Sequence, residues 1–77
     1  MEKEYDNYLE KVLLIPTAEM AGVAMVRADL IRKYKAGRNL PQLGTAVLIF
    51  KKYKIDYEFW VVHNQNWKKK QEEKENE

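Results

Sequence analysis

Apolar side chains recur at helical spacing through the first half of the chain. Along residues 2–15 they follow the i, i+3, i+4, i+7 pattern that places them on one face of a helix. Pro16 ends this segment, because its ring cannot continue the preceding helix. Thr17 occupies an N-cap position, and a second helix is predicted from there to about Ala36, with Gly37 as its C-terminal stop. The core-facing positions of this second helix are Met20, Val23, Leu30 and Tyr34.

A second face of the same predicted helix carries small side chains. Small side chains let another helix approach closely, either the first helix of the same chain or a helix of a second copy. The members of this face are Ala18, Ala21, Gly22, Met25 and Ala28.

Residues 43–67 fit two kinds of secondary structure. Part of this stretch alternates apolar and polar side chains, which is the period of a half-buried strand and favours a β-hairpin at about 45–63. The turn of that hairpin would contain no glycine, asparagine or proline to supply the required backbone angles. Asp56, in contrast, is placed to cap a following helix. We therefore favour a third helix over 41–53 and a fourth from 57 to about 70.

The predicted fold is all-α, with three to four short helices whose C-terminal pair is followed by a charged tail. The alternative is an α+β fold, in which two helices precede the hairpin. Residues 1–67 are predicted to form a single small globular domain. Residues 68–77 contain no apolar side chain and are expected to be a frayed helix or a disordered tail.

The composition excludes several kinds of chemistry. The 77 residues include no cysteine and no serine, and His63 is the only histidine. Disulfides, thiolate metal sites and Ser/His or Cys/His nucleophiles are therefore ruled out. We expect no enzymatic activity, with no catalytic, metal-binding or cofactor-binding residues and no small-molecule substrate. No apolar stretch reaches the roughly 18 residues of a membrane span, and the acidic Glu2 and Glu4 are unlike a secretory leader, so a cytoplasmic protein without membrane contact is expected.

Positive charge is concentrated in the middle of the chain. The formal net charge is only +2, yet residues 27–54 contain a single carboxylate, Asp29, among eight cations. Such a basic block attracts the phosphates of a nucleic acid or an acidic protein surface, although lysines at helix ends are also common on solvated faces. The predicted anion contacts are Arg27, Arg32, Lys33, Lys35, Arg38, Lys51, Lys52 and Lys54.

The stretch from Phe50 to Trp60 resembles the centre of a helix-turn-helix, the match covering residues 46–65. In that family an alanine usually allows the two helices to cross closely, and a glycine commonly makes the turn. Phe50 and Lys54 occupy those two places here. The second helix of this unit would present two carboxylates, Asp56 and Glu58, to the phosphate-lined groove, which favours a protein partner for this face.

The last third of the chain is rich in large aromatic side chains. Aromatic residues dominate interface hot spots, and a patch of them rimmed by charge is typical of a contact surface. The leading hypothesis is therefore a small interaction or regulatory protein, of the size of accessory or phage-encoded regulators, that forms a homodimer or docks on a larger partner. The alternative is a DNA-binding transcriptional regulator with a modified helix-turn-helix. The predicted apolar partner contacts are Tyr57, Trp60, Val61, Val62 and Trp67.

Overall fold

The computed structural model describes residues 2–75, which form five helices and no strand. The helices are Glu2–Leu14 (α1), Thr17–Ala24 (α2), Ala28–Ala36 (α3), Leu43–Tyr53 (α4) and Tyr57–Glu75 (α5). The predicted all-α fold is confirmed, and the alternative hairpin at 45–63 is wrong, because that stretch belongs to α4 and α5. Among residues 2–75, no helix has both the length and the apolarity needed to cross a membrane.

The helix predicted over residues 17–36 is two helices, which raises the number of helices to five. Its first cap also differs from the prediction. Pro16 is the N-cap residue and Thr17 is the first helical residue. The predicted stop at Gly37 is confirmed: this glycine has a φ of 86°, and its N–H donates to the carbonyl groups of the last turn of α3. Helix α5 extends beyond the predicted residue 70 to Glu75, and residues 76–77 of the predicted tail lie outside the described residues.

The core lies where α5 crosses α1, α3 and α4, and where α2 packs on α3 and α4. Each helix contributes at most a few side chains to it, in keeping with the small area that a 77-residue chain can bury. The largest fully buried residues are Trp60, Met20, Ile31, Ile49, Ile55, Val12 and Pro41.

Helices α1 and α5 run antiparallel and are joined by an aromatic cluster. The Tyr5 ring stacks on Phe59 with 5.4 Å between the ring centroids, and the Tyr8 ring lies 6.0 Å from Phe59. The Tyr8 hydroxyl donates to a carboxylate oxygen of Asp56 at 3.0 Å, immediately before α5 begins. Aromatic pairs of this kind contribute about 0.5–1.5 kcal/mol beyond the area that they bury, so this cluster fixes α1 on α5.

The junction between α1, α2 and α4 is organised around Tyr53. Its hydroxyl donates to Glu19 Oε2 at 2.8 Å, and its backbone carbonyl accepts from the Lys11 ammonium. Burial, together with the bond to Glu19, raises the pKa of the Tyr53 phenol to about 12. The folded state therefore holds this proton more tightly than the unfolded chain, in which a tyrosine ionises near pH 10.

Stability is expected to fall as the pH rises from about 10 towards about 12, because the unfolded chain loses the Tyr53 proton first. Tyr53→Phe removes this contribution and should flatten the decline. The remaining slope reflects Tyr8 and Tyr34, whose pKa values are also raised, by the bond to Asp56 and by burial respectively. Lys35, whose pKa burial lowers, contributes a slope of the opposite sign. Urea unfolding at several alkaline pH values measures the effect. Tyr57→Phe, at an exposed position, is the control, and an equal slope in both variants would contradict the assignment to Tyr53.

Candidate nucleic-acid interface

Helices α2 and α3 form a short helical pair joined by a three-residue turn. Helix α2 has eight residues and α3 has nine, with residues 25–27 between them. Met25 ends α2 in the left-handed conformation, with φ 59° and ψ 41°. The N–H groups of Met25 and Val26 both donate to the carbonyl of Ala21, the latter at 3.1 Å, and so close the last turn of the helix. Arg27 returns to an extended conformation and α3 begins at the next residue.

Small side chains allow this pair to pack closely. Ala21 and Ala24 of α2 are buried, with 8% and 2% of their surfaces exposed, and α3 inserts Ile31 and Tyr34 into the same core. The other members of the predicted small face behave differently: Ala18, Gly22 and Met25 are exposed and Ala28 is half-buried. Within α2, the small side chains that allow close packing are therefore the two buried ones, Ala21 and Ala24.

The outward face of α3 is predominantly basic. Asp29, Arg32, Lys33 and Ala36 are all exposed, and their spacing puts them on one side of the helix. Arg27, also exposed, stands at the start of α3. This face therefore combines cations with one carboxylate, and the small Ala36 leaves room for close approach at its C-terminal end.

Helix α5 binds three backbone carbonyl groups at and just after the C-terminal end of α3, and so holds that end in position. His63 Nε2 lies 2.6 Å from the carbonyl oxygen of Lys35, and Asn64 Nδ2 donates to Gly37 at 2.8 Å and to Arg38 at 3.2 Å. Since a carbonyl only accepts, Nε2 of His63 carries a hydrogen. In the neutral ring, Nδ1 then accepts from the Tyr5 hydroxyl at 2.7 Å. These bonds compensate the unpaired carbonyls that every helix C-terminus leaves, and they orient the basic face of α3.

Lys35 differs from the other cations predicted to contact an anion. Its ammonium donates to the carbonyl of Ile15 and to the Thr17 hydroxyl, the latter at 3.1 Å, which ties α3 to the α1–α2 junction. Burial lowers the pKa of this ammonium. Lys35 is thus used within the fold, whereas the rest of the predicted basic set is exposed: Arg27, Arg32, Lys33, Arg38, Lys51, Lys52 and Lys54.

Residues 46–65 share with a helix-turn-helix the conformation of the turn but not the small residue at the helix crossing. Lys54 has a φ of 60°, the left-handed conformation that a glycine commonly supplies there. Phe50, which stands at the place of the crossing alanine, has 42% of its surface exposed and lies beneath the Lys54 ammonium, 5.5 Å from the ring centre. The carboxylates of Asp56 and Glu58 are exposed at the start of α5. A buried alanine four residues before the left-handed turn residue, followed by a basic helix, occurs at Ala21, Met25 and α3.

One member of the predicted aromatic partner surface, Trp60, lies inside the protein. Trp60 is only 1% exposed, because it packs edge-on against Phe59 at 5.0 Å and near Tyr34 at 6.3 Å. It is therefore a core residue, which corrects its prediction as a partner contact. Its indole N–H is buried without a hydrogen-bond acceptor in the part of the chain that the structure describes. The other members of that set remain at the surface, Tyr57 being exposed and Val61, Val62 and Trp67 half-buried.

Comparisons with known proteins do not identify the chain: no protein-family model, no curated protein and no solved structure matches it. Within residues 2–75, no group of three or more metal-ligating side chains comes together. The basic face of α3, held by α2 and α5, is therefore the candidate site. Sequence reasoning missed the turn before it because residues 25–27 contain neither glycine nor proline.

Proposed function

We propose that this protein is a DNA-binding regulator in which α2 and α3 act as a helix-turn-helix. A DNA-binding regulator was the alternative raised from the sequence. The helix-turn-helix is now assigned to residues 17–36 and not to residues 46–65. The observation that carries it is the exposed basic face of α3, following a buried-alanine helix and a three-residue turn. In a helix-turn-helix the second helix lies in the major groove, and its N-terminal residues contact the base edges.

Charge supports this orientation of α3. The face around Arg32 and Lys33 carries more cations than carboxylates, whereas the start of α5 presents the carboxylates of Asp56 and Glu58. Phosphates flank both sides of the groove, so they attract the first surface and repel the second. Arg38, exposed just after α3, is placed to contact a phosphate at the C-terminal end of the helix.

The first residues of α3 support a role in base recognition. Arginine forms paired hydrogen bonds with guanine N7 and O6, and aspartate accepts from cytosine N4. Arg27 is the N-cap residue of α3 and Asp29 lies in its first turn, where such contacts are made, and both are exposed. We therefore expect a preference for sites that contain G·C pairs. Double-helical RNA should bind less tightly, because its deep, narrow major groove does not admit a helix.

Neutralising α3 should weaken DNA binding. In Arg32→Ala/Lys33→Ala, duplex affinity is expected to fall about 10- to 100-fold, and the slope of log affinity against log salt to become shallower by about 1 to 2. Fluorescence anisotropy with labelled duplex at several salt concentrations measures both quantities. Lys68→Ala/Lys69→Ala removes the same charge from an exposed part of α5 and serves as the matched control. Equal losses in the two variants, or no duplex binding by the wild type at low salt, would refute the proposal.

A further inference from the structure

Helix α4 carries an apolar stripe on its outer surface. Leu43 has 66% of its surface exposed, and Val47 and Phe50 each have 42%. Their i, i+4, i+7 spacing aligns them along one side of the helix. Two exposed lysines, Lys51 and Lys54, lie at the C-terminal end of this stripe. The helix itself contains no acidic residue, so this surface is apolar at one end and basic at the other.

Helix α1 carries a second exposed stripe with the opposite charge. Leu13 and Leu14, in its last turn, have 57% and 76% of their surfaces exposed. Asp6 and Glu10 lie on the same side of the helix, two turns and one turn earlier respectively, and are also exposed. This surface is apolar at its C-terminal end and acidic towards its N-terminus.

The two stripes match each other when the helices run antiparallel. Leu13 and Leu14 then meet the apolar end of α4, and the carboxylates of α1 meet the lysines of α4. At a rise of 1.5 Å per residue, the apolar and charged halves are centred about 8 Å apart on α1 and about 9 Å apart on α4. A parallel arrangement would set the carboxylates against the exposed leucine of α4 and leave the lysines without partners.

We propose that α1 of a second copy of this protein covers the outer stripe of α4, and that α1 of the first copy covers the same stripe of the second. A single sequence provides both complementary surfaces, which identifies a second copy as the occupant. The Lys11 ammonium donates to the carbonyl of Tyr53, so the last turns of α1 and α4 are neighbours within one chain. A two-fold axis near that point closes the pair, because each chain then offers both stripes to its partner. This proposal does not depend on DNA binding.

Light scattering after size-exclusion chromatography tests the association, over a wide range of protein concentration. The wild type is expected at twice the 9.2 kDa of the chain, and Val47→Asp at the monomer mass. A wild type that stays monomeric throughout would overturn the proposal and leave a different protein as the occupant of the stripe. A mass that keeps growing with concentration would also overturn it, because it indicates an open chain of copies.

Charge reversal identifies the surfaces. Asp6→Lys/Glu10→Lys makes both stripes basic, and Lys51→Glu/Lys54→Glu makes both acidic. Each variant alone should be monomeric, and an equimolar mixture of the two should recover the dimer, because both of its contacts then pair opposite charges. Far-ultraviolet circular dichroism checks that each variant is folded. Dimers of either variant alone, or a mixture that stays monomeric while both variants are folded, would contradict the proposed contact.

Discussion

Trp60→Ala is expected to lower the free energy of unfolding by about 3–5 kcal/mol. The side chain is 1% exposed and is the largest of the fully buried residues. Truncating a buried aromatic residue costs about 3–5 kcal/mol, through lost transfer free energy and the cavity left behind. A domain of this length has a total stability of about 4–12 kcal/mol, so the substitution removes a large part of it. Urea unfolding followed by circular dichroism measures the loss.

Two further substitutions test why Trp60 matters. Trp60→Phe keeps a ring in the core and removes an indole N–H that has no acceptor, so it should lose less than half as much stability as Trp60→Ala. Trp67→Ala, at a half-buried position, should also cost less. A free energy of unfolding for Trp60→Ala within about 0.5 kcal/mol of the wild type, the range of ordinary surface substitutions, would show that the ring is not a core anchor.

Gly37→Ala is expected to destabilise the fold by about 2–4 kcal/mol. The left-handed φ of 86° costs a residue with a Cβ about 1–2 kcal/mol. That Cβ would also lie 2.8 Å from the carbonyl oxygen of His63 and 3.2 Å from Cβ of Trp67, so α5 must move away from α3. The movement would disturb the bond from Asn64 to the Gly37 carbonyl. The midpoint of urea unfolding should fall accordingly.

The other two glycines provide matched controls. Gly22 and Gly44 lie within helices, and among the described residues an added Cβ at either position meets no atom within 4 Å apart from its chain neighbours and the backbone of its own helix. Replacing either by alanine should raise stability by up to about 0.5–1 kcal/mol, because alanine loses less backbone entropy in a helix. If Gly37→Ala raised stability as the controls do, the close contact between α3 and α5 would be wrong.

The two proposals make a joint prediction about the DNA site. A two-fold dimer presents two copies of α3, so the preferred site should consist of two inverted half-sites. The Val47→Asp variant separates the proposals, because Val47 lies on α4 and is not one of the predicted anion contacts. Loss of the dimer with residual binding to a single half-site would preserve the DNA-binding proposal.

Local sequence signals predicted the helix boundaries that are marked by a proline or a glycine. Pro16 separates α1 from α2, and Gly37 ends α3 with the expected positive φ. Two junctions lack such residues: Met25 and Lys54 both adopt left-handed conformations that their side chains disfavour. At the first the break was not predicted, because nothing in residues 25–27 indicates it. At the second the helix boundary was predicted from the Asp56 cap signal, without the conformation of Lys54.

By itself, the sequence determined the absence of cysteine and serine chemistry and a central block of positive charge, and it favoured an all-α fold over one with a β-hairpin. Helical periodicity, isolated glycines and residue counts are local properties of the chain. Only the tertiary structure decided how the members of each candidate set are used. Lys35 turns inward to the α1–α2 junction and Trp60 enters the core, whereas Arg32 and Lys33 remain on an open face. Burial depends on contacts between elements distant in sequence, and no local pattern specifies those contacts.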